Sequence, residues 1–178
     1  MRTYAMAKVL MIVAQSGFRD EELFVPKEIL EKAGHEVKVA SITRAKATGS
    51  KGAIITPDMA VYEANADFFD CIIVVGGPGS PALSENMELR QLIIDANKKN
   101  KMLCAICLGP LSLARAGVLV DKKATVFPDK GAIAVLRECG AVYKSEPVIK
   151  DGRIITADSP SSADHFGAEI ANALKSKR

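Results

Sequence analysis

Tryptophan is absent from this chain, and histidine occurs only twice in 178 residues. Aromatic residues make up 5% of the sequence, and the net charge is +3 with both signs interspersed. The local basic excesses are Lys98, Lys99 and Lys101, and the tail Lys175, Lys177 and Arg178. Neither carries the interleaved aromatics of a nucleic-acid surface, so both read as solvated faces and no nucleic-acid partner is expected. No apolar run reaches the roughly 18 residues of a membrane span. Lys8 to Ala14 is too short for one and has no small-residue cleavage site, so it does not read as a secretory signal. A cytoplasmic protein with no membrane partner is the expectation.

The four cysteines lie in apolar surroundings, at spacings that suggest no disulfide framework. Cys104 and Cys107 make a C-x-x-C by spacing, but Cys104 falls inside a predicted strand. Three extended residues span about 10 Å, beyond the roughly 7 Å Cα limit of a disulfide. A redox dithiol and a zinc site are therefore rejected, and Cys71 and Cys139 read as packing residues. Gly76-Gly77-Pro78-Gly79 lacks the G-x-G-x-x-G order, and no Gly-Lys-Ser/Thr follows it, which argues against a nucleotide site. No metal and no cofactor is expected.

What is present is the composition of a globular protein, 48% hydrophobic and 25% charged. The length suits one well-cored domain, taken as residues 1–178. Lys8 to Ala14 reads as a parallel strand buried on both faces. A helix over Asp20 to Ala33, stopped by Gly34, and a strand over Val37 to Ile42 follow. Residues 43–58 read as a small hairpin excursion. Asp70 to Val75 is a second buried strand. A helix then opens at Ser80-Pro81, with Leu89, Leu92, Ile93 and Ala96 as its apolar face. Lys101 to Ile106 is a third strand. A helix near Lys130 to Glu138, short strands near Val142, Val148 and Ile154-Ile155, and an amphipathic helix over Pro160 to Leu174 complete the order. Strands alternating with helices give a doubly wound α/β/α sandwich, whose ligands bind beyond the carboxyl ends of the strands.

Cys107 ends the third strand, with Gly109-Pro110 and a short helix after it. Strand, sharp turn and helix with a thiol on the turn is the layout of a nucleophile elbow, and the helix end would favour the thiolate. From this stretch alone a nucleophile and a buried structural thiol are equally open. If Cys107 is catalytic, the N–H groups of Gly77 and Leu108 are candidates for an oxyanion hole. Glu22 opens the first helix four residues ahead of Pro26, where the missing proline N–H should distort the helix beside the active edge. A carboxyl held against a thiolate would stay protonated and could exchange protons with a substrate. His35 reads as a surface residue at the opposite edge, and His165 at the start of the last helix. No Cys-His pair is visible near the elbow.

Three motifs in this order resemble the ThiJ/PfpI superfamily: Glu22-Leu23-Phe24-Val25-Pro26, Val74-Val75-Gly76-Gly77 and Ala105-Ile106-Cys107-Leu108-Gly109-Pro110. The similarity runs from about Lys8 to Leu174. It implies the flavodoxin-like sandwich of class I glutamine amidotransferases, assembled as a homodimer or a larger oligomer of dimers. It places the oxidation-sensitive nucleophile on Cys107, its glutamate on Glu22 and the oxyanion donors on Gly77 and Leu108. Gly76, His165 and Lys51, near where some members place a basic residue that reaches across a dimer, are candidates to line the site. Leu108 stands where peptidase-like members carry His, and Ser80-Pro81 where they carry an acid, so a Cys-His-Glu triad is not supported. Phe127 precedes Pro128 where the deglycase branch often has His, which leaves a Cys107–Glu22 dyad.

Two readings follow from the resemblance, with an intracellular cysteine peptidase third. The first is a cofactor-independent glyoxalase or deglycase acting on methylglyoxal-type α-oxoaldehydes or glycated substrates. The second is a stress sensor or chaperone in which Cys107 oxidises to a sulfinate.

Overall fold

The run that begins at Lys8 forms an interior strand of the main sheet, and every residue after Lys8 in it is buried. The structure is a computed structural model and describes residues 5–176. Lys177 and Arg178 of the basic tail, and residues 1–4 of the expected domain, lie outside the described residues. In chain order the elements are β1 (Lys8–Ile12), β2 (Ser16–Phe18), α1 (Asp20–Lys32), β3 (Glu36–Ser41), β4 (Ala47–Gly49), β5 (Ile54–Ile55), β6 (Met59–Ala60) and β7 (Cys71–Val74). They continue with α2 (Ser80–Leu83), α3 (Met87–Lys98), β8 (Met102–Ile106), α4 (Pro110–Arg115), β9 (Lys123–Ala124), α5 (Lys130–Glu138), β10 (Val142–Tyr143), β11 (Val148–Asp151), β12 (Ile154–Ala157) and α6 (Ala163–Lys175).

The main sheet has the order β11-β12-β8-β7-β1-β3-β6. Its neighbours pair in parallel except β11, which runs antiparallel to β12 at the edge. Side chains alternate across a strand, so β1 sends Leu10 and Ile12 to one core and Val9 and Met11 to the other. The first core is closed by Leu83 of α2, Leu89 and Ile93 of α3, Leu113 of α4 and Leu136 of α5. The second is closed by Leu23 and Leu30 of α1 and by Phe166 and Ile170 of α6. This is the expected three-layer sandwich, and it explains why β1, β7 and β8 are apolar at nearly every position.

Three local expectations are revised. The helix expected from Ser80 is two helices, because Asn86 starts α3 afresh by accepting the Leu89 N–H at 2.8 Å. The excursion over 43–58 contains the antiparallel pair β4–β5, but β2 joins it in parallel to make a third strand. His35 is buried rather than on the surface: its Nδ1 accepts the Ala7 N–H at 3.0 Å, and burial pushes its pKa down. It does lie at the edge of the sheet away from the carboxyl ends of the strands, ahead of β3.

Candidate functional site

Three segments converge at the carboxyl ends of β1, β7 and β8, the adjacent strands at the centre of the sheet. Cys107 follows β8 directly and takes φ +60°. That left-handed conformation strains an L residue by about 1–2 kcal/mol, and only the surroundings can hold it. They do so through both backbone groups. The Cys107 N–H donates to the Ala157 carbonyl at 2.9 Å, and the Cys107 carbonyl accepts the Phe127 N–H at 2.8 Å. The turn closes with the Gly109 N–H donating to the Ile106 carbonyl at 2.8 Å.

The turn after β7 brings the second segment against the first. A Cβ built on Gly76 would lie 2.5 Å from Glu22 Oε2, 2.5 Å from the Ile106 carbonyl and 2.9 Å from Cys107 Cβ. Position 76 is therefore the point where the carboxyl, the elbow and the turn touch, and only glycine fits. Gly77 has φ +124°, and a Cβ there would lie 2.4 Å from the Gly17 carbonyl and 2.5 Å from the Arg19 nitrogen. The Arg19 N–H also donates to the Gly76 carbonyl at 2.8 Å, which docks the start of α1 on the turn.

Glu22 is fully buried. Its Oε2 accepts the Gly76 N–H at 2.8 Å, and its carboxyl interacts with the Cys107 thiol. Burial, outweighing the thiol and Gly76 contacts and the Arg19 charge, pushes its pKa up to about 8. At neutral pH the carboxyl is thus mostly protonated. Cys107 moves the same way. Burial is the largest cause, followed by the charge of an ionised Glu22, and together they push the thiol well up. The Leu108 N–H and the Arg19 charge oppose this and are weaker. The helix end was expected to lower the thiol pKa. In the fold, desolvation outweighs it, and the pair holds its protons together.

The structure thus brings Cys107, Glu22, Gly76, Gly77 and Leu108 to one place. Leu108 turns its N–H to the Cys107 sulfur, and among the described residues the Gly77 N–H donates to no carbonyl. Lys51 and His165 make other contacts. Lys51 is exposed in the β4–β5 turn, with its N–H on Asp20 Oδ1 at 3.1 Å. His165 is exposed on α6, 3.6 Å from Glu169 Oε1. Among the described residues no cluster of three or more His, Cys, Asp and Glu side chains is placed to hold a metal ion, and no helix is long and apolar enough to cross a membrane.

Sequence reasoning missed Arg19, whose charge acts on both the thiol and the carboxyl while its Nε donates to both Glu21 oxygens at 2.9 Å. A lone arginine ahead of an acidic helix start carries no pattern that marks it. The carbonyl of Ala157 was equally invisible, since its role depends on β12 lying beside β8.

A family model for the DJ-1/PfpI family matches residues 7–173. The chain belongs to the DJ-1/PfpI family. An uncharacterised protein of Methanocaldococcus jannaschii is 45% identical over 170 residues, covering 95% of this chain and 83% of that one. A deglycase of Pyrococcus abyssi is 30% identical, covering 93% and 99% of the two chains. A glutathione-independent glyoxalase of Caenorhabditis elegans is 28% identical, covering 96% and 90%. Among solved structures, a ThiJ/PfpI domain protein from Brachyspira murdochii superposes with a TM-score of 0.93 at 28% identity, covering 97% and 99%. The DJ-1/PfpI family match spans every strand of the main sheet and the elbow that follows β8.

Proposed function

We propose that this protein is a cofactor-independent glyoxalase or deglycase that converts methylglyoxal-type α-oxoaldehydes, or their early adducts, to 2-hydroxy acids through Cys107 and Glu22. One observation carries the reading. A fully buried carboxyl, protonated at neutral pH, is held by the Gly76 N–H against a thiol on a strained elbow. The relatives named deglycase and glyoxalase support the same class of chemistry.

The thiol adds to the aldehyde carbon. The S–C1 bond forms as the carboxylate form of Glu22 takes the thiol proton and passes it to the aldehyde oxygen, which gives a hemithioacetal. Negative charge developing on that oxygen is met by the N–H groups of Gly77 and Leu108. Glu22, again as the carboxylate that is its minority form at neutral pH, removes the proton on C1 and, as acid, delivers it to C2, while the C1 hydroxyl proton passes to the C2 oxygen. The C2 ketone becomes a hydroxyl while C1 becomes a thioester carbonyl, so C1 is oxidised and C2 reduced with no outside oxidant. Water then breaks the C1–S bond, releasing the hydroxy acid and restoring the thiol. A homodimer or larger homo-oligomer belongs to the same proposal, and light scattering on the purified protein tests it.

The direct experiment is lactate production from methylglyoxal, without glutathione, by wild type, Cys107→Ser and Glu22→Gln side by side. Lactate from wild type and a fall of about 100-fold or more in each variant is expected. Equal activity in Cys107→Ser, or no lactate from wild type, refutes the proposal.

A further inference from the structure

An apolar cleft of about 430 Å³ opens beside the elbow, on the face of the sheet that carries α4 and α5. Pro81, Leu108, Leu111, Phe127 and Val135 line it. Two of these residues are joined to Cys107 itself. Leu108 follows it in the chain, turns its N–H to the sulfur and packs against both cores. Phe127 is anchored by its N–H on the Cys107 carbonyl. Pro81 lies four residues beyond Gly77 in the chain, and Leu108, which carries the other oxyanion donor, lines the cleft itself. Its charged residues are Arg115 and Asp129, and one Asp129 oxygen is already occupied by the Ala132 N–H at 3.0 Å. The remaining lining offers area to carbon rather than to charge. Phe127, 39% exposed, presents a ring that nothing in the core requires.

We propose that this cleft receives the substituent on the ketone side of the substrate, so that the enzyme selects aryl and branched alkyl oxoaldehydes over methylglyoxal. The reaction rests on the glyoxalase reading above. The cleft's preference for an apolar group joined to whatever reacts with Cys107 does not. With C1 on the sulfur and its oxygen between Gly77 and Leu108, the C2 substituent leaves the oxyanion donors on the side of Leu108 and meets Leu111 and Phe127. A methyl group leaves such a cleft wet. A ring displaces that water and covers apolar area that the methyl cannot reach.

The test compares initial rates of mandelate from phenylglyoxal and lactate from methylglyoxal in wild type, Phe127→Ala and Val135→Asn. Wild type is expected to favour phenylglyoxal in kcat/KM by about tenfold or more, and each variant to cut that ratio several-fold, the scale of discrimination an apolar pocket supplies. A wild-type ratio at or below one, or a ratio that neither variant moves, overturns the proposal. If neither aldehyde is turned over, the glyoxalase reading fails and Cys107 alkylation decides the cleft. N-benzyl iodoacetamide and iodoacetamide are then compared, each rate normalised to that of free cysteine. A benzyl preference of about tenfold in wild type that both variants reduce upholds the cleft, and equal normalised rates overturn it. Val135→Asn leaves the elbow and its anchor on Phe127 intact, so the experiment stands even where Phe127→Ala folds poorly.

Discussion

Replacing Glu22 by Gln should make the protein more stable in mildly alkaline solution while removing its activity. Glu22 is completely buried, and its pKa rises from 4.5 to about 8 on folding. The folded chain therefore holds a proton that the unfolded chain has lost over this window. Stability is full below pH 4.5 and falls as pH rises toward 8. A shift of this size corresponds to about 5 kcal/mol in total, of which about 3 kcal/mol is lost between pH 5 and pH 8. Glutamine has nearly the same shape, and its carbonyl can still accept the Gly76 N–H. Its amide NH2 takes the place of Oε1, which has no hydrogen-bond partner among the described residues. An unmet donor there costs about 1–3 kcal/mol, so the net gain at pH 8 is on the order of 1–3 kcal/mol. Urea unfolding of wild type and variant at pH 5, 7 and 8 measures it. The difference between the two proteins should grow in favour of the variant as pH rises. A difference independent of pH, or one that grows in favour of wild type, refutes the burial argument. A stabilised but inactive variant is the expected mark of a residue kept for chemistry at a cost in stability.

Gly76→Ala should destabilise the fold by about 2–4 kcal/mol in thermal or urea melts, since its Cβ meets a buried carboxylate oxygen and a backbone carbonyl, both at 2.5 Å. Gly34→Ala, at φ +93° with nothing within 4 Å, should cost only about 1–2 kcal/mol from the backbone, and equal losses at both positions would remove the steric argument. Asn86→Ala leaves the Leu89 N–H without its cap and should lower stability by about 1 kcal/mol with activity unchanged. In a pH series, kcat/KM should rise to a plateau near pH 8 as Glu22 loses its proton and becomes the base that acts on C1, and a profile flat from about pH 6 to pH 10 would detach the carboxyl from the rate.

The central strands were legible because a strand buried on both faces leaves a continuous apolar run, and β1, β7 and β8 each do so. The two-residue strands β6 and β9 were not, since pairs such as Met59-Ala60 and Lys123-Ala124 become strands only when β3 and β10 lie beside them. The break between α2 and α3 was hidden by the apolar periodicity that α3 shares with its leader, although Asn86 was there to be read as a cap. His35 was misplaced because a histidine after a helix-stop glycine looks like a loop residue. Its burial follows from the Ala7 N–H that the start of β1 brings to it. Cys71 read as a packing residue and Cys104 as a strand residue, and both are fully buried. Their sulfurs nevertheless lie 3.8 Å apart on adjacent strands, a proximity that depends on the pairing of β7 with β8.

For the site, the sequence by itself determined the elbow. A thiol between an apolar strand and Gly-Pro is a local arrangement, whereas its φ of +60° is held by the Ala157 carbonyl and the Phe127 N–H. Glu22 and the Gly76-Gly77 turn could also be picked out as residues. Only the tertiary structure decided that they meet. Glu22 and Gly76 are 54 residues apart in the chain and 2.8 Å apart in space, because β1 and β7 pair in parallel and end at the same edge. The same packing reversed the electrostatic expectation for the thiol. A helix end acts through neighbours in the chain, whereas desolvation depends on everything folded around the sulfur, and here the second effect is the larger.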